Sequence, residues 1–364
     1  MRIKSVRLIC FILIIYNVIL SVGLPIFADE VVIPEVTEAL SDNVKVGSRF
    51  WELFFGEGEK ESENISLLPG GGVFGVKIKQ EYPTVTDAKG VPALKVGDVI
   101  TSVGGERVKT ADDVRRIVQA SGGNSITIRA LHQGNEVAVE IRPNLVGDEY
   151  KIGLTLRDGA AGLGTVTFID PTTGLFGGLG HGICDADSGE IISMESGQVC
   201  GVVLGGIHKG ESGKPGELCG ILTDKGMGEL TLNCDCGVFG VITDKSALLG
   251  QSMQIGKRDE VVEGEAIIRS TLKNGKTAEY KIEIYDIDRS SEGSKSFRIR
   301  VTDETLKALT GGIVRGMSGS PIIQNGKLIG AVTHVLVADP TEGYGIFIEN
   351  MLKAADFSEL GKAA

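Results

Sequence analysis

The sequence predicts a mainly β chain, with two globular units behind an apolar N-terminal segment. Three observations carry this. The length, 364 residues, fits about two domains at roughly 150 residues each. Glycine occurs 52 times, about twice the usual ~7 %, and without the Gly-X-Y period of collagen. Short Val-, Ile- and Thr-rich runs alternate with those glycines, the pattern of strands joined by tight turns. The composition is 42 % hydrophobic and 23 % charged, which excludes a disordered chain. A net charge of −11, no Lys/Arg-rich run and 5 % aromatic residues argue against a nucleic-acid partner.

The chain opens with Arg2, Lys4 and Arg7, and the stretch Leu8 to Leu24 is almost wholly apolar. A basic start before an apolar core predicts that residues 1–28 are a signal peptide or membrane anchor, with the bulk of the chain outside the membrane. Residues 29–64 are acidic and polar and read as a spacer. Cys10 lies in the apolar segment; the other five cysteines are Cys184, Cys200, Cys219, Cys234 and Cys236. None forms a CxxC pair, there is no HExxH, and only four histidines occur, so neither a metal nor a cofactor is expected.

Residues 65–143 form the first globular unit. Val99 to Val103 is a strand and Gly104-Gly105 a hairpin turn. Thr110 is a helix N-cap with Asp113 three residues on, followed by an apolar stripe of Val114, Ile117 and Val118. Two further strands, Ser125 to Ala130 and Glu136 to Ile141, flank His132 and Gly134. Residues 146–364 form the second unit, rich in short strands, with helices expected only over Thr302 to Leu309 and Asn350 to Ala355.

In the first unit the run Ala93 to Ile100, then Gly104 to Val108, then the helix from Thr110 resembles the PDZ domains of bacterial exported proteases. In this reading the stretch Pro69 to Val76 is similar to a carboxylate-binding loop. Val73, Phe74, Gly75 and Val76 are its expected peptide-binding residues, with a peptide C-terminus as ligand.

In the second unit the run Gly316-Met317-Ser318-Gly319-Ser320-Pro321 is the sharpest signal. A serine hydroxyl needs a general base and a pair of oxyanion donors. Glycine at 316 lets its N–H turn to the same side as that of Ser318, so these two are the expected oxyanion donors. The loop resembles the nucleophile loop of chymotrypsin-like serine proteases, with Ser318 attacking. His181, in Gly177-Gly178-Leu179-Gly180-His181-Gly182, is the expected base. Of the other histidines, His132 belongs to the first unit, His208 falls in an expected loop, and His334 follows Ser318 closely enough to line the cleft.

A PDZ-like unit, then Gly-Leu-Gly-His-Gly-Ile, then Thr310 to Pro321, then Thr333-His334-Val335 and Gly343-Tyr344-Gly345 together resemble the stage IV sporulation protein B family of serine peptidases. The resemblance implies a chymotrypsin-like two-barrel domain with Ser318, His181 and Asp303 as its triad. It also implies a self-cleaving endopeptidase acting between the forespore and mother-cell membranes. Its substrates would be proteins or peptides, among them a membrane-bound regulator, cut in a sporulation cascade. From the residues alone Asp303 is equally a helix N-cap, and Asp224, Asp235 and Asp244 stay open as the acid. The competing expectations are a non-enzymatic PDZ scaffold, in which Ser318 and His181 would lie far apart, and a general extracytoplasmic quality-control protease.

Overall fold

The computed structural model describes residues 65–355, apart from 187, 249 and 274. The expected membrane segment (1–28) and acidic spacer (29–64) lie outside the described residues. Among those described, no helix is long and apolar enough to cross a membrane.

In chain order, β1 (Ser66–Pro69) and β2 (Val73–Asp87) come first. Then follow β3 (Val99–Val103), β4 (Glu106–Arg107), α1 (Ala111–Ala120), β5 (Ile126–His132) and β6 (Asn135–Ile141). A small hairpin of β7 (Asn144–Val146) and β8 (Glu149–Lys151) leads into β9 (Thr155–Ile169) and β10 (Leu175–Gly178). Next come β11 (Met194–His208), β12 (Glu217–Cys234), β13 (Gly237–Ile242) and β14 (Met253–Gln254). The last third holds β15 (Gly264–Lys273), β16 (Lys276–Tyr285), β17 (Phe297–Val301) and α2 (Glu304–Thr310). It ends with β18 (Pro321–Gln324), β19 (Lys327–Leu336), β20 (Asp339–Phe347) and α3 (Ile348–Ala354).

Two closed β systems result. The second is a six-stranded barrel in the order β15-β16-β17-β20-β19-β18. Alternate inward residues (Ile268, Ile282, Ile284, Phe297, Ile299, Ile322) fill it and are almost wholly inaccessible. The first is a ring of ladders: β2 pairs β9 and β11, β9 pairs β10, β10 pairs β13, and β12 joins β13 to β11. Phe74, Val76, Ile78, Phe176, Val199 and Val238 pack together there.

The PDZ-like unit does not precede this first ring; it is set into it. The ranges expected for the two units, 65–143 and 146–364, thus share ladders, since β2 of the first pairs β9 and β11 of the second. Strand β2 serves both systems. Its first half, Val73 to Lys79, pairs the far half of β9, while Thr84 to Asp87 pairs the start of β9, and Thr84 also pairs Val99 of β3. The inserted unit has its own core of Val85, Leu94, Ile100, Val114, Ile117 and Ile128. Local signals were read as they fold. Gly104 and Gly105 both take positive φ (59° and 85°) between paired Val103 and Glu106, the backbone of a two-residue hairpin. Thr110 and Asp113 form a reciprocal capping box on α1. The barrel adds a further cap, since Ala111 N–H donates to Asp158 of β9 at 2.7 Å.

The expected peptide-binding residues of the carboxylate loop lie in a strand instead of a loop. Val73, Phe74, Gly75 and Val76 are strand residues of β2, all four paired with β9 and Gly75 and Val76 with β11 as well. Phe74 is fully buried edge-on against Phe176, with ring centroids 5.8 Å apart. The preceding glycines serve close backbone approach instead of ligand capture. A Cβ at Gly70 would stand 2.1 Å from the Val166 carbonyl oxygen, and Gly71 N–H already donates to that oxygen at 2.8 Å.

Candidate active site

Ser318 sits in the loop that enters β18. Gly316 (φ 96°) and Gly319 (φ 93°) on either side adopt backbone that L side chains resist. The loop is held from the other ring. Thr165 and Thr167 of β9 are fully buried. Thr165 Oγ1 donates to Gly316 O at 2.8 Å, Thr167 Oγ1 donates to Gly319 O at 2.8 Å, and Thr165 N–H donates to Ser318 O at 2.9 Å. The approach is so close that a Cβ at Gly319 would lie 2.0 Å from Thr165 O. Met317, Gly319 and Ser320 N–H groups donate to Val314, Val332 and Met317 carbonyls. The N–H groups of Gly316 and Ser318 have no acceptor among the described residues. These are the two donors expected for an oxyanion.

His181 follows β10, across left-handed backbone at Leu179 (φ 65°) and Gly180 (φ 68°). It lines one open cleft of about 480 Å³ together with Ser318, Gly316, Arg315, Asp235 and His334. Its Nδ1 lies 2.8 Å from Gly182 O. A carbonyl only accepts, so in the neutral ring Nδ1 carries the proton and Nε2 keeps its lone pair. That is the tautomer a general base requires. Burial pushes the His181 pKa below its ordinary value, and the Gly182 hydrogen bond opposes this in part. The His334 ring stacks obliquely on His181, with centroids 4.9 Å apart and planes at 38°. Burial, the neighbouring His181 and Lys295 bring the His334 pKa down to about 4, and its buried Nδ1 has no hydrogen-bond partner.

The expected acid is not brought to His181. Asp303 caps α2: its carboxylate accepts from Leu306 N–H at 2.9 Å and Lys281 N–H at 3.3 Å, and it does not line the cleft. Of the other candidates, Asp244 pairs with Lys225 at 2.7 Å and Asp224 is exposed on β12. Asp235 lines the cleft. The Ser318 hydroxyl donates to Thr333 O at 2.7 Å. The sequence reading missed Thr165, Thr167 and the Thr333 carbonyl. The Thr-Val-Thr alternation of β9 was the available signal, since alternate strand residues share a face.

Two closed six-strand systems, the first carrying an inserted PDZ-like unit, bring a histidine from the first and a Gly-x-Ser-Gly loop from the second to one cleft. A family model described as SpoIVB peptidase S55 matches residues 148–352, and a PDZ-domain model matches residues 93–131. The first match covers more than half of the chain, and the chain belongs to the SpoIVB peptidase S55 family. A Mesorhizobium japonicum protein that carries a provisional zinc metalloprotease name is 33 % identical over 70 residues, or 19 % of each chain. The present chain thus spans about a fifth of that curated relative. Among solved structures, the PDZ domain of an SdrC-like protein from Listeria monocytogenes is 20 % identical (TM-score 0.20), covering 22 % of this chain and 93 % of that one. The active form of the Rv3671c protease from M. tuberculosis is 14 % identical (TM-score 0.31), covering 68 % and 85 %.

Proposed function

We propose that Ser318 is the nucleophile, His181 the general base, and the N–H groups of Gly316 and Ser318 the oxyanion donors. The observation that carries this is a single cleft lined by His181 and Ser318, with those two N–H groups unengaged beside them. In this mechanism the Ser318 hydroxyl turns from Thr333 O toward His181 Nε2 and adds to the scissile carbonyl. His181 takes the proton and returns it to the leaving amine, and water then repeats the sequence on the acyl-enzyme. The hydroxyl bonded to Thr333 O is a resting state. Asp303 entered as the acid by family resemblance. The Nδ1 bond to Gly182 O already holds the working tautomer without it.

The proposed biological role is an extracytoplasmic or membrane-associated peptidase that cleaves itself and a membrane-protein partner in a sporulation cascade. Membership of the SpoIVB peptidase family and the basic, apolar N-terminus support this reading. The PDZ unit would take a peptide or protein ligand, docking the partner or restraining the enzyme. A non-enzymatic scaffold required Ser318 and His181 to be far apart, and they share one cleft.

The test is processing of the full chain beside Ser318→Ala and His181→Ala, with fluorophosphonate labelling of each. Processing and labelling of the parent alone support the assignment. Equal processing in all three chains, or labelling that survives Ser318→Ala, overturns it.

A further inference from the structure

The loop end of the β11–β12 hairpin carries three metal-ligating side chains that the proposed chemistry does not use. His208 closes β11 and Glu217 opens β12, and the two are register partners. Cys219 lies two residues beyond Glu217 on the same strand, so all three project from one face. Each can offer one ligand atom, and those atoms lie within 4.8 Å of one another. Glu217 Oε1 is 3.0 Å and Cys219 Sγ 3.5 Å from His208 Nδ1. Tetrahedral zinc with bonds of ~2.0–2.3 Å sets its ligand atoms about 3.4–3.6 Å apart. The His208–Cys219 edge therefore already fits, and the His208–Glu217 edge needs to open by only a few tenths of an ångström.

We infer that His208, Glu217 and Cys219 form a zinc site, with water in the fourth position. The donor set decides the metal. A thiolate and an imidazole beside one carboxylate select zinc over calcium or magnesium, which prefer oxygen ligands. One carboxylate and one thiolate neutralise the charge of the ion, and binding releases the Cys219 thiol proton to solvent. This departs from the expectation that the chain holds no metal. That expectation rested on sequence spacing, and the pairing of the two strands brings the ligands together.

The site is wired to the nucleophile loop. Glu217 forms a parallel bridge with Arg315, Leu218 N–H donates to Arg315 O at 2.9 Å, and Arg315 N–H donates to Gly216 O at 2.8 Å. Gly316, whose N–H is a proposed oxyanion donor, is the next residue, and a Cβ there would stand 3.1 Å from the Leu218 side chain. Zinc would brace the segment that positions this donor. This second part rests on the serine peptidase reading; the binding itself does not.

Binding is therefore measured on the full Ser318→Ala chain in detergent, by zinc competition with a chromophoric chelator and by cobalt substitution. The expected result is one equivalent of metal and a thiolate-to-cobalt charge-transfer absorption. His208→Ala weakens binding at least tenfold, and Cys219→Ser abolishes the absorption. His208 is exposed, so its variant keeps the fold, and unfolding in chelator checks this. No saturable binding, or binding and absorption unchanged in both variants, overturns the site. In the parent chain, zinc should change the rate of fluorophosphonate labelling at Ser318 and leave the rate in His208→Ala unchanged. Equal zinc response in both chains overturns the coupling.

Discussion

Replacing Thr165 by valine keeps the shape of a fully buried side chain and removes one donor. Gly316 O, itself buried, then loses the 2.8 Å hydrogen bond from Thr165 Oγ1. A buried acceptor left without its partner costs about 1–3 kcal/mol. At roughly 2–4 °C per kcal/mol for a domain of this size, Tm should fall by ~2–12 °C. The larger effect should be kinetic. The peptide unit that carries Gly316 O is one bond from the Gly316 α-carbon, so its tilt reorients the N–H proposed to hold the oxyanion. Losing such a donor outright costs about 10²–10³ in rate, and a misaimed donor should cost ~10–10². Thr167→Val is the matched control. It removes an equivalent bond, to Gly319 O at 2.8 Å, but Gly319 N–H is already committed to Val332 O. The assay is the second-order rate of fluorophosphonate labelling at Ser318, with Tm measured on the same samples. Similar Tm losses and a labelling rate at least tenfold lower in Thr165→Val than in Thr167→Val are expected. Equal rates in the two variants would refute the reasoning.

Other expectations follow from the same geometry. Asp303→Asn keeps a good N-cap on α2, so stability should stay within about 0.5 kcal/mol of the parent and labelling should persist; a loss of labelling beyond tenfold would mark Asp303 as the acid. The pKa of His181 is lowered by burial, so its base form persists below the ordinary ~6.5. The ascending limb of the labelling rate against pH should have its midpoint below that value, and a midpoint at or above it contradicts the burial argument. His334 is held near pKa 4 in the fold and returns to ~6.5 on unfolding. The unfolded chain therefore binds more protons, and stability falls as pH drops from about 6.5 to about 4. In Ser318→Ala chains, His334→Gln should flatten this part of the Tm–pH curve, and an unchanged slope would count against it. Phe74→Ala empties a fully buried site and should cost about 3–5 kcal/mol in chemical denaturation. A stable variant that had merely lost peptide binding would revive the carboxylate-loop reading.

The sequence by itself determined what depends on neighbours a few residues apart. The capping box at Thr110 and Asp113 and the Gly104-Gly105 hairpin fold as read. The Gly-x-Ser-Gly loop was equally legible, because its glycines are needed where they stand, whatever surrounds them. Element ends differ by a residue or two from those expected, as for the helix expected from Thr302 and found at Glu304–Thr310, since ends are set by the last hydrogen bond available. Only the tertiary structure decided which strands close the first ring. Pro69 to Val76 reads as a glycine-rich loop in isolation, and its second half, Val73 to Val76, becomes strand through pairing with Gly162 to Thr165 and with β11. The same pairing sets the PDZ unit inside the barrel. Asp303 shows the limit most plainly. One carboxylate fits a helix cap and a triad equally well in sequence, and the choice falls to what lies within hydrogen-bond reach: Leu306 N–H at 2.9 Å. The Thr165 and Thr167 clamp on the nucleophile loop spans some 150 residues of chain. Short-range spacing cannot encode it, because the register of two separate barrels must first bring those hydroxyls and carbonyls together.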